Sequence, residues 1–242
     1  MTPDEIGKIL GEPVGRPLPP EASAATRKVR SAIISNLRPV RPLPASWILT
    51  LLFAGTFATV AVASGSLLGA HGFHTLDDFE RASIYPTLIA LALAAAVACS
   101  RQMRPAGGWR LGVVAWLLAL ACFPAVVSAI FRGYSTVNLV PEGVPCLETG
   151  LLVALPTALL ITWILRRGFV LDCGAAGLAG GVLSGLTGLG MLELHCPNLK
   201  AIHVMVWHLG VVVVSAALGL AIGRIVGFAG RRSRARSFGD AA

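Results

Sequence analysis

Two thiols and a scatter of imidazoles are the groups in this chain best suited to chemistry. Cys146 stands in Pro145-Cys146-Leu147, Cys196 directly follows His195, and His203 and His208 come soon after. His71-x-x-His74 adds two rings far upstream. Outward-facing thiols in an oxidising compartment lock together as a structural disulfide or act as a redox pair. Thiolate with imidazole is also a donor set for soft metals. The other three of the five cysteines read differently. Cys122, inside Leu120-Ala121-Cys122-Phe123, behaves as a small hydrophobe. Cys99 and Cys173 fall where thiols stay reduced. Neither C-x-x-C nor H-E-x-x-H is present. No resident metal or cofactor and no catalytic residue is therefore expected, and thiol oxidation is favoured over metal capture. His195 and His208 are the candidate auxiliary groups beside the two thiols.

The elements that must position these groups are six apolar runs: Ser46–Ala70, Ile84–Cys99, Leu111–Phe131, Leu147–Leu165, Phe169–Leu194 and Ala201–Phe228. Most reach the length of about 20 residues that spans a hydrocarbon core of about 30 Å. A mean hydropathy of +0.75 with 13% charged residues excludes an ordinary soluble domain, whose charged share is about 25%. The sequence therefore predicts an all-α, polytopic bundle of six transmembrane helices over 45–228. A cytoplasmic N-terminal extension and proline tether (1–44) would precede it, and a basic cytoplasmic tail (229–242) would follow. Of the 20 Lys and Arg residues, the alternate loops hold only Arg81, Arg132 and Lys200. The positive-inside rule then puts both termini in the cytoplasm of a bacterial inner membrane. On that count Cys146 precedes the fourth helix and Cys196 follows the fifth, both at the outer membrane edge.

The net charge of +8 reads as topological signal and lipid contact rather than nucleic-acid binding. Met1–Pro44 has no apolar signal segment, so the first run is expected to direct insertion. Two amphipathic helices are expected there, Pro3–Leu10 and Glu21–Leu37, suited to a membrane surface or a partner protein. Arg38–Pro44, with Pro39, Pro42 and Pro44, forms a stiff tether. In the fifth run, Gly177-x-x-x-Gly181-x-x-x-Gly185 predicts a face of close helix packing. His208, read as lying mid-membrane, is either functional or bonded to a neighbouring helix. The missing midplane carboxylates argue against a coupled pump.

Several segments resemble the NrsF family, the negative regulators of sigma F. They are Val40-Arg41-Pro42-Leu43-Pro44, Cys146-Leu147-x-x-Gly150 with Ala154-Leu155-Pro156, the glycine-rich fifth run, Leu194-His195-Cys196-Pro197 and Val206-Trp207-His208-x-Gly210. The resemblance implies a membrane anti-sigma factor rather than an enzyme. It would hold an extracytoplasmic-function sigma factor and release it under oxidative or metal stress. The family's two characteristic cysteines fall on Cys146 and Cys196. Two rival readings share the outward thiols: a membrane thiol oxidoreductase, which typically carries a C-x-x-C, and a small metal transporter.

Overall fold

Five of the six apolar runs each become one long helix, and the sixth contains a wide turn near its start. The structure, a computed structural model, describes residues 28, 31, 43–104, 110–168 and 170–239. The expected helices Pro3–Leu10 and Glu21–Leu37 thus lie outside the described residues almost entirely. The helices are α1 Ser46–Leu68, α2 His71–Thr75, α3 Asp78–Gln102, α4 Arg110–Ile130, α5 Leu139–Leu165, α6 Cys173–His195, α7 Ala201–His203 and α8 Leu209–Gly239. A π turn, Val204–His208, joins α7 to α8. No strand occurs among the described residues. Six helical stretches are long and apolar enough to cross a membrane, so the chain is a multi-pass membrane protein.

Three helix starts differ from the hydropathy reading by four or more residues, each for a local reason. α3 starts six residues before Ile84, because Asp77 and Glu80 form a capping box. The Asp77 carboxylate accepts from the Glu80 amide at 2.7 Å, and the Glu80 carboxylate accepts from the Asp77 amide at 2.8 Å. α5 starts at Leu139 rather than Leu147. Pro141 sits in its first turn, where a missing N–H costs nothing. Cys146 therefore lies in the second turn of a helix and does not precede it. α6 begins four residues after Phe169, where the Asp172 carboxylate caps the Ala175 amide at 3.0 Å.

α6 is the axis of the bundle. Its membrane-crossing window is 89% buried, against 24–44% for the other five. It packs on α1, α3, α4, α5 and α8. The composition explains why so many neighbours fit: Gly177, Gly181 and Gly185 carry no Cβ where α8 comes closest. A Cβ on Gly177 would strike the Gly219 carbonyl, and one on Gly185 would lie 2.6 Å from Val212 Cα. Gly188 meets the Gly150 carbonyl of α5 in the same way. Such backbone contact is how helices associate in lipid, where no hydrophobic drive exists between them. The outward faces are apolar instead: Leu51, Val62, Leu152, Leu159, Leu218 and Ile222 are all exposed. At the end of α5, the Arg167 guanidinium stacks 3.7 Å over the Trp163 ring, a pairing suited to the membrane interface.

Candidate functional site

The end of the bundle opposite Arg166 and Arg167 gathers the polar groups. Cys146 comes from the second turn of α5 and Cys196 from the C-terminal cap of α6. Their Sγ atoms are 3.7 Å apart, and both thiols are free. Antiparallel neighbours bring the start of one helix level with the end of the other, which is why residues 50 apart in sequence meet.

Two histidines complete the cluster. The His203 Nε2 lies 3.7 Å from Cys196 Sγ. One donor atom each from Cys146, Cys196, His203 and His208 lies within 4.8 Å of every other. Backbone geometry accounts for the pairing of the rings. Five residues along an α-helix is about 140° round the axis, which would point His203 and His208 apart. The π turn between them closes a wider loop, with the Leu209 amide donating to the Val204 carbonyl, and sets the rings edge to face at 5.3 Å.

His208 is held from behind by Glu193 of α6. Its Nδ1 stands 2.7 Å from the Glu193 Oε1, and both side chains are fully buried. Buried ionisable pairs are costly in a membrane bundle and mark function by default. The Glu193 carbonyl also accepts from the Tyr85 hydroxyl of α3 at 3.3 Å. His208 Nε2, His203 Nδ1 and Glu193 Oε2 are buried without a hydrogen-bond partner. Buried nitrogens of that kind are suited to a ligand.

The cluster is roofed by two contacts. Asn198 donates to the Glu142 carboxylate at 2.9 Å, and the Lys200 ammonium lies 3.6 Å from it. From the other side α2 presses on the α6 terminus, since a Cβ on Gly72 would lie 2.7 Å from the Cys196 carbonyl. Cys146 is half-buried and Cys196 only 5% exposed. The hydrogen bond with Cys146, and then burial, push the Cys196 thiol above its ordinary value. Cys196 therefore stays protonated, and poorly nucleophilic, further into the alkaline range.

The structure sorts the candidate residues of the sequence. Cys146, Cys196 and His208 come together. His208 belongs to this cluster at the helix end, not to an isolated midplane position. His195 turns away: its Nδ1 is 2.9 Å from the Gly69 carbonyl and its ring faces His71. Cys99, Cys122 and Cys173 are outside the cluster. Nothing in the spacing of Glu193 from His208 signals their contact across two helices.

The donor set offers two kinds of chemistry, oxidation of two adjacent thiols or capture of a thiophilic cation. Residues 34–226 match the family model described as NrsF, negative regulator of sigma F. No curated protein and no solved structure matches the chain. The matched residues run from the N-terminal extension through nearly all of the sixth span and include the whole cluster. The chain belongs to the NrsF family and is a negative regulator of a sigma factor.

Proposed function

We propose that the protein is an inner-membrane anti-sigma factor that holds an extracytoplasmic-function sigma factor and releases it when Cys146 and Cys196 meet oxidant or metal. The observation carrying this reading is the pair of free thiols 3.7 Å apart at one end of the bundle. The basic residues lie mainly in the tails and the opposite loops, which supports an outward cluster and cytoplasmic termini. In the oxidative branch, a peroxide accepts two electrons and the two thiol protons and leaves as water. The new S–S bond of about 2.05 Å brings the two sulfurs, one on α5 and one at the end of α6, about 1.6 Å closer than their present 3.7 Å.

Energetics limit what one bond achieves. Moving release from 1:99 to 99:1 needs about 5.5 kcal/mol of preference for the released state. A disulfide typically contributes about 2–4 kcal/mol. Graded rather than complete release is the expected output of oxidation alone.

Sidedness and thiol order are open to one labelling experiment. A membrane-impermeant maleimide added to spheroplasts should modify Cys146, and Cys196 more slowly, because Cys196 is buried and its thiol is held protonated. Labelling confined to inside-out vesicles would reverse the orientation.

Met1–Leu37 is the proposed sigma-factor contact, by virtue of its two amphipathic segments and the tether behind them. The full chain in detergent should co-purify a sigma factor. Deletion of Pro3–Leu37, with Arg38–Pro44 retained, should abolish that co-purification while leaving membrane insertion intact. Undiminished capture after the deletion would move the contact to Ser100–Arg110 or the C-terminal tail.

A further inference from the structure

The four donors at the bundle end all lie within 4.8 Å of one another, and two of their pairs have the spacing of a coordination shell. Tetrahedral arms of about 2.3 Å to sulfur and 2.0–2.1 Å to nitrogen hold donors roughly 3.3–3.8 Å apart. The Cys146–Cys196 pair and the Cys196–His203 pair both stand at 3.7 Å. His208 is fully buried, its Nδ1 is engaged by Glu193, and its Nε2 has no partner. A carboxylate on one ring nitrogen, leaving the other free, is the arrangement that orients metal-ligating histidines.

We propose that Cys146, Cys196, His203 and His208 form a closed site for one zinc-class dication, Zn2+ or Cd2+, with Glu193 as the positioning residue for His208. Two thiolates balance the charge of the dication, and two imidazoles complete a shell of soft and borderline donors. Binding releases both thiol protons to solvent, so affinity rises with pH. All four positions are filled by protein, which leaves no open position for substrate and suits sensing rather than catalysis. A bound ion also occupies the sulfurs that a disulfide would join, so the two stimuli compete for one pair of atoms. The site's role as a signal rests on the sensory reading above, whereas its existence does not.

The test is a titration of the reduced, full-length protein in detergent with Cd2+, followed by thiolate-to-metal charge-transfer absorption. One Cd2+ per chain is expected, and prior alkylation of the thiols should remove the band. Glu193→Gln should keep the stoichiometry and the band but weaken binding about 10–100-fold, as loss of a supporting carboxylate does elsewhere. His203→Gln and His208→Gln should weaken it further. Size-exclusion profiles matching the wild type would establish that these variants are assembled. Absence of the band in wild type, or unchanged affinity in the double histidine variant, would overturn the four-donor site. Cd2+ binding without sigma release would leave the site standing and remove its sensory role. Peroxide-driven release without Cd2+ binding would do the reverse.

Discussion

Gly181→Leu should leave almost no monodisperse protein in detergent. A Cβ at this position would run into the Ser215 carbonyl of α8, and the flanking Gly177 and Gly185 face backbone equally closely. Overpacking a core of movable side chains costs about 1–3 kcal/mol. Here the obstacle is main chain, so α6 and α8 must separate along the largest helix contact of the bundle. Gly55 provides the contrast, because a Cβ there would meet nothing within 4 Å. Gly55→Ala should be neutral or slightly stabilising, since alanine is favoured over glycine in a helix by about 1 kcal/mol. Size-exclusion profiles and thermal aggregation curves of the two variants would separate the outcomes. A well-behaved Gly181→Leu protein would mean that the glycine seam is not the structural axis.

The second large effect concerns induction. Cys146→Ser and Cys196→Ser should each remove most stress-induced sigma release, and the double variant should be no worse than either single one. Two atoms 3.7 Å apart acting as one unit give this non-additive pattern. Cys122→Ser, exposed on the lipid side of α4, should leave induction near the wild-type level. A sigma-dependent reporter, read with and without oxidant, measures all four strains. Full induction in the double variant would reduce the pair to a packing feature.

Much of this architecture is readable from residue order, because the bilayer imposes it. Six apolar runs of adequate length had to become spanning helices, since unpaired backbone is prohibitive in hydrocarbon. The four-residue spacing of Gly177, Gly181 and Gly185 likewise announces a close helix contact. Charge counting suggests one edge for Cys146 and Cys196, and antiparallel neighbours allow their contact without dictating it. The polar network is not readable in this way. Glu193 and His208 are 15 residues apart and meet only because α6 and α8 run antiparallel at backbone contact. His195 adjoins Cys196 yet points elsewhere, because successive residues at a helix end leave in different directions. The starts of α3 and α5 were hidden by polar and proline residues that hydropathy scores against, although both are good first-turn residues.

The wide turn at Val204–His208 also sets a helical phase. Conversion of one such turn to ordinary α geometry rotates one end of a helix against the other by about 100° and shifts it by about 1.5 Å. Downstream, Val212, Ser215 and Gly219 are locked to α6 by main-chain contact, so that end keeps its register. The end that turns is the short segment bearing His203. The wide turn is therefore what sets the His203 ring 3.7 Å from the Cys196 sulfur, while the glycine seam sets the register of the rest of the helix.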